Sequence, residues 1–471
     1  MGQIEINHTG SGGGVVLSSD GTDLLLGGSA VGGGDPALYK DNASGATTPV
    51  ASGANAVSIG SDSQATAQDS LALGTSTRVL GQGSVAIGIG DASYGVLSGA
   101  DYSIAIGKQA KVRANVDYSI AIGYSTDVNN TTSTAIGYNA SAFGVGSLGV
   151  GLDAYAGNDY ALALGKGSYA GNAYSSAIGA NSSTQGSTTA ANGAMALGGS
   201  YASGTDSFAA AIATNSSSYG ATGSNSVAMS RNSKASGSDS LAFGRTSQAT
   251  STYAVAMGYN CLSSANYSVA LGYQAQATGA NAFAAGASST YQERANATAA
   301  GAVALGGAYA TAADSVSIGA ASTTGTVLGK IAFSNGKFAA NGDSQGGLFI
   351  LRADTTDATA TVLTTNNSLP GSIDQIVAAS DTCITFSGTI VAMQNGAQAY
   401  GSWEIKGLLV NDGGTTTVPN SAITVIHNSS SWGLALSADN TNNALAVTVT
   451  GEASHNVRWV ANVQTAEVTF A

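Results

Sequence analysis

From about Ala54 to Ala321 the apolar positions fall in short triplets of large, small and large residues, each closed by Gly. They read Val-Ser-Ile at Val57, Leu-Ala-Leu at Leu71, Val-Ala-Ile at Val85, Ile-Ala-Ile at Ile104 and Ile120, Leu-Ala-Phe at Leu241 and Val-Ala-Leu at Val269. The closing positions are Gly60, Gly74, Gly88, Gly107, Gly123, Gly137, Gly151, Gly165, Gly179 and Gly198, then Ala213 and Ser230, then Gly244, Gly258, Gly272, Gly286, Gly306 and Gly319. Ten of these seventeen gaps are 14 residues, so the array is a repeat of fixed length with occasional insertions. Large-small-large is the period-2 pattern of a half-buried strand and excludes a helix. The Gly supplies a tight turn or a close backbone approach. The other half of each unit, such as Ser-Gln-Ala-Thr-Ala at Ser63 or Tyr-Gln-Ala-Gln-Ala at Tyr273, suits a second short strand. One unit therefore predicts one coil of a parallel β-solenoid.

The pattern places the two large residues of each triplet on one face and Ala or Ser on the other, where small side chains let neighbouring chains approach. A coil with two large apolar side chains encloses too little core to offset the ordering of 14 residues. Coils from several chains sharing one core are the expected remedy.

Outside the array the pattern changes. Val15-Val16-Leu17 and Leu24-Leu25-Leu26, between Gly12 to Gly14 and Gly32 to Gly34, predict a small β-module within residues 1–49, read as a segment for attachment to a larger assembly. The rod occupies 50–325 and a neck or transition 326–352. Residues 353–471 alternate over Ile384–Phe386, Thr389–Gln394, Ser402–Val410, Ala422–His427, Trp432–Leu436, Ala444–Thr450 and Val457–Phe470, which predicts an antiparallel β-sandwich or jelly roll.

Composition narrows the function classes. Gly numbers 65 residues, charged residues are only 9%, and much of the 43% hydrophobic content is Ala, which suits a thin repetitive fold better than a globular enzyme. A net charge of −12 argues against nucleic acid as a partner. The one mid-chain basic cluster, Lys108, Lys111 and Arg113, reads as solvated surface. No apolar run approaches the length of a membrane-spanning helix, and the first residues lack the pattern of a secretory signal. Synthesis in a cytoplasm without membrane insertion is the expectation.

Candidate chemistry is sparse. Cys261 and Cys383 read as separate buried thiols, and the three His lie isolated, so neither a metal nor a cofactor is expected. Asp101 and Asp117 stand one repeat apart, where a carboxylate pair competes with the simpler reading of turn-forming Asp. No catalytic residue is assigned. Tyr recurs in register, five residues before the closing Gly at Tyr102, Tyr118, Tyr160, Tyr253 and Tyr267, and directly after it at Tyr124, Tyr138, Tyr259 and Tyr273. Such ladders either stack on sugars or stiffen the coil. Trp403, Trp432 and Trp459 lie in the C-terminal module, as core or interface residues or as a sugar platform. These Trp residues, with Tyr102, Tyr118, Tyr124 and Tyr138, are the receptor-binding candidates. The insertions Ala180 to Asn192 and Ala287 to Gly301 are loops in the solenoid, a surface or a contact face.

Asp-Ser-Leu-Ala-Leu-Gly, Gly-Ser-Val-Ala-Ile-Gly and Asn-Tyr-Ser-Val-Ala-Leu-Gly-Tyr-Gln-Ala-Gln-Ala resemble the head repeats of YadA-like trimeric autotransporter adhesins. The resemblance implies a left-handed parallel β-roll and a homotrimer. Trp-Glu-Ile-Lys-Gly-Leu-Leu-Val, Trp-Gly-Leu-Ala-Leu-Ser-Ala-Asp and Val-Arg-Trp-Val-Ala resemble a C-terminal domain of tailed-phage fibre and tail proteins. Together they imply a virion tail fibre that meets other virion proteins through its N-terminus and a bacterial surface glycan or outer-surface protein elsewhere. The alternatives are a head-decorating or spacer fibre without receptor binding, a bacterial adhesin, and a glycan-degrading spike.

Overall fold

The structure is a computed structural model that describes residues 4–6, 15–19, 24–26, 29–31, 47–90, 96–183, 192–210, 218–287, 294–396 and 399–470. Every regular element in them is a β-strand. The chain divides into two compact units, Met1–Ser224 and Asn225–Ala471.

The first unit opens with a four-stranded antiparallel meander, Ile4–Ile6, Val15–Ser19, Leu24–Leu26 and Ser29–Val31. The other residues before Thr47 lie outside the described residues. A solenoid follows. Each coil gives a three-residue strand to one parallel sheet, in the register Val57↔Leu71↔Val85↔Ile104↔Ile120↔Thr134↔Leu148. A shorter strand enters a second parallel sheet, in the register Gln64↔Arg78↔Leu97↔Lys111↔Asp127↔Ser141↔Tyr155. The second unit repeats the arrangement, with Val227↔Leu241↔Val255↔Val269↔Phe283↔Val303↔Val316 in one sheet. Ala213, the tip of the 180–192 insertion and much of the 287–301 insertion, Glu293 included, lie outside the described residues.

The structure reverses the faces assigned from the pattern. Ala72, Ala86, Ala105, Ala121 and Ala135 are fully buried inside the coil, and the large residues on either side of each point outward. Alternation groups residues by face but does not say which face is inside. Two strands separated by two tight turns leave room between them only for small side chains, mostly Ala with an occasional Val such as Val79, Val112 and Val128. Buried serines fill the rest and satisfy turn carbonyls: Ser70 Oγ donates to Ala67 O at 2.6 Å, and Ser84 Oγ to Ala100 O at 2.7 Å. This explains the Ser that precedes so many triplets.

The closing Gly has a backbone reason in most coils. Gly74, Gly123 and Gly258 have φ of +119°, +133° and +127°, and a Cβ on any of them would lie within 2 Å of the carbonyl oxygen of the next closing Gly. Gly60, Gly88, Gly107, Gly137, Gly165, Gly179, Gly244 and Gly272 share the positive φ.

The second unit continues past the repeats without a break in the sheet. Strand β1 (Ile331–Asn335) pairs in parallel with Val316–Ala320 and antiparallel with β2 (Ser344–Thr355). The next strands are β3 (Ala360–Val362), β4 (Ile376–Val377), β5 (Thr382–Gln394), β6 (Tyr400–Asp412) and β7 (Thr415–Asn428). Last come β8 (Gly433–Asp439), β9 (Ala444–Thr450) and β10 (Val457–Thr469). One sheet has the order β1-β2-β10-β5-β6-β7. The other is β9 flanked by β8 on one side and by β3 and β4 on the other. Phe349, Leu351, Phe386, Ile405, Leu445, Val447 and Val463 fill the core between them. The predicted segments Ile384–Phe386 and Thr389–Gln394 are one strand, β5, because Gly388 keeps the strand going with Asn462 O close beneath it.

Candidate functional site

The solenoid turns carry most of the exposed aromatics. Tyr102 and Tyr118 occupy a left-handed turn position, φ +52° and +58°, that Asn, Asp or Gly fills in other coils. Their rings stack at 5.4 Å with an interplanar angle of 8°. Tyr160 with Tyr174 and Tyr253 with Tyr267 repeat this arrangement. After the closing Gly, Tyr124 stacks on Tyr138 at 4.8 Å and Lys108 Nζ lies 5.7 Å over the Tyr124 ring. The second unit repeats the motif, with Arg245 over Tyr259 and Tyr259 stacked on Tyr273. A third ladder, Tyr155 on Tyr169, lies on the short-strand sheet, where burial and then Tyr155 push the Tyr169 hydroxyl above its ordinary pKa.

Tyr102, Tyr118, Tyr124 and Tyr138 are therefore all exposed, but each has one ring face against its partner, and Tyr124 has the other beneath Lys108. The ring faces turned to one another are closed to a ligand. The basic cluster is used within the chain as well: Arg113 donates to both carboxylate oxygens of Asp127, at 3.0 and 2.6 Å.

The Trp residues behave differently from what a receptor platform requires. Trp403, Trp432 and Trp459 are 1%, 4% and 0% exposed. Trp459 stands 5.4 Å from each of the other two rings and donates Nε1–H to Thr355 Oγ1 at 3.0 Å. They form the centre of the C-terminal core, because β5, β6 and β10 turn their alternate residues toward the second sheet. All three rings are enclosed in the domain core and present no open face at the surface of the chain.

The carboxylates at 101 and 117 serve the turns. Asp101 Oδ1 accepts from Gln82 N at 2.7 Å, and Asp117 Oδ1 from Asp101 N at 3.1 Å. Among the described residues no group of three or more His, Cys, Asp or Glu is placed to hold a metal. No helix there is long and apolar enough to cross a membrane.

Sequence reasoning missed the outer face of the β1-β2-β10-β5-β6-β7 sheet. Ser387 and Thr389 of β5, Glu404 and Lys406 of β6, Thr424 of β7, and Asn462 and Gln464 of β10 are exposed there side by side and line a shallow hollow of about 450 Å³. The signal lay in alternations such as Trp403-Glu404-Ile405-Lys406, whose polar half was passed over in favour of the Trp.

The coil geometry agrees with what comparison finds. The family model described as the YadA head domain repeat, two copies long, matches residues 51–77, 65–90, 98–126, 129–154, 156–182, 235–260 and 263–289. These segments are similar to YadA head repeats. The matched segments lie in both compact units and extend three residues into each of the 180–192 and 287–301 insertions. No curated protein matches the chain. Among solved structures, one match is the crystal structure of the Acinetobacter baumannii phage AM24 tailspike protein, at 10% identity over 82% of this chain and 67% of that one. Its TM-score of 0.15 carries no argument about fold or function.

Proposed function

We propose that the chain is a homotrimeric virion fibre of a tailed phage, attached to the particle through residues 1–49 and meeting the bacterial surface through its C-terminal β-domain. The observation that carries the assembly is the outward apolar face of the YadA head repeats. Ile136, Phe243, Met257 and Ile318 are all more than a third exposed, and they stand in register with Val150, Met229, Leu271 and Leu305 of neighbouring coils. A single chain with mostly Ala and Ser inside its coils and rows of large apolar residues outside, broken only at positions such as Thr134, Ser176 and Ala285, leaves its main hydrophobic surface for other copies.

The sequence resemblance of the C-terminal module to phage fibre domains supports the virion setting. The Tyr ladders, with ring faces turned to one another, fit stiffening of the rod, which leaves receptor contact to the C-terminal domain. Purified full-length chain at saturating concentration is expected to block adsorption of the parent virion to its host cells. Adsorption at the normal rate would favour a spacer fibre. Release of reducing sugar ends from host polysaccharide would move the reading to a glycan-degrading spike.

A further inference from the structure

The outward rows of the solenoid do not stop where the repeats end. In the second unit one row runs Val303, Val316 and Ile331, then Leu348 of β2, Gln464 of β10, Ser387 of β5, Lys406 of β6 and Ala422 of β7, each paired with the next. A parallel row passes from Ile318 through Phe333, Gly346, Ala466 and Thr385 to Leu408. The face that is apolar on the coils is thus the face that carries the unpartnered polar side chains of the C-terminal sheet.

Two features of that face fit a second copy better than open water. Ile350, Val391, Met393 and Val460 are each more than 40% exposed beside the polar rows, a grouping of apolar residues that an isolated solvent face seldom carries. Glu404 and Lys406 are alternate exposed residues of β6, yet among the described residues neither forms an ion pair or a side-chain hydrogen bond. Elsewhere in this domain Lys330 is paired with Glu467 and Arg458 with Asp354. One acid and one base two residues apart, without net charge, suit contact with an identical surface. In a ring of copies a residue of one chain meets a different residue of the next, so a carboxylate can face an ammonium all round the ring.

We propose that the outer face of the β1-β2-β10-β5-β6-β7 sheet is buried between copies of this chain, with Glu404 of one copy against Lys406 of the next. This rests on the homotrimer reading above and extends it from the coils to the C-terminal domain.

The test uses full-length chains. Glu404→Lys leaves two lysines on the strand and Lys406→Glu leaves two glutamates, both at exposed positions where the fold of one chain is expected to survive, as far-UV circular dichroism would report. The two variants are made separately and then co-expressed with different tags. Each alone is expected to give weakened oligomers that dissociate at several-fold higher protein concentration than the parent. Together they should form mixed oligomers several-fold in excess of random assortment, and the double reversal in one chain should restore parental stability. Attraction between neighbours on one strand cannot favour mixing between chains. Random assortment, with each variant as stable as the parent, would overturn the proposal and leave the homotrimer standing. A monomeric parent would instead refute the homotrimer and this extension with it.

Discussion

Substituting Ala for one closing Gly tests the physics of the coil stack. Gly258 has φ +127°, and a Cβ there would lie 1.8 Å from Gly272 O and 2.7 Å from its carbonyl carbon. Holding an L residue in that region costs about 1–3 kcal/mol. The overlapping atoms are backbone, so the next coil must shift and weaken its ladder, at about 1 kcal/mol per hydrogen bond lost. Gly258→Ala should therefore destabilise the second unit by roughly 3–5 kcal/mol. Gly325 is the control: its φ is +60° and nothing lies within 4 Å of an added Cβ. Gly325→Ala should carry only the left-handed penalty, about 1–2 kcal/mol. The assay is urea unfolding followed by far-UV circular dichroism at fixed protein concentration, since all three Trp lie at or beyond position 403 and their fluorescence does not report on the coils. If the two variants unfold within about 1 kcal/mol of each other, close backbone stacking is not why Gly closes the coil.

Two further outcomes probe the C-terminal domain. Lys330→Met strips the partner from Glu467, which sits 2.6 Å away with both side chains 7% exposed, and should cost about 3 kcal/mol. That is the low end for such a break because Gln345 and Thr465 still donate to the carboxylate. Lys330→Met combined with Glu467→Gln should recover most of the loss, as read by Trp fluorescence in urea. At Asp343 burial acts to raise the carboxyl pKa, but donation from the backbone of Ala339, Phe338 and Ala340 and from Ser344 outweighs it and holds the group below the usual carboxylate range. A pKa lowered by folding adds stability above the unfolded value, near 4, and that stability is lost as pH falls through the lowered one. The gap in stability between parent and Asp343→Asn should therefore be widest above the ordinary carboxylate range and narrow as the pH falls below it, and a gap that widens in acid would refute this account.

Much of this fold was legible because it is local and repeated. The Gly-closed triplets define strand, turn and period by residue type alone, and the structure pairs them one coil to the next. The direction of the faces was not legible. Ile120-Ala121-Ile122 alternates identically whether the coil interior is wide or narrow, and only two strands held together by left-handed turns show that the methyl of Ala121 is what fits inside. The Trp residues misled for a related reason: a large amphipathic ring suits a core and a ligand platform equally until its neighbours across the sheet are known. Glu404 and Lys406 drew no attention because an exposed charge pair is ordinary. Their register with the apolar rows of the coils, made by long-range strand pairing, is what gives them meaning.

The central claim is that the outward apolar rows are an interface between copies, and the mass of the full-length protein in solution tests it most directly. Light scattering or native mass spectrometry at micromolar concentration should find three times the 45.8 kDa chain, with Ile120→Asp combined with Ile122→Asp dissociating it. A soluble, fully folded monomer that persists on concentration would contradict the account.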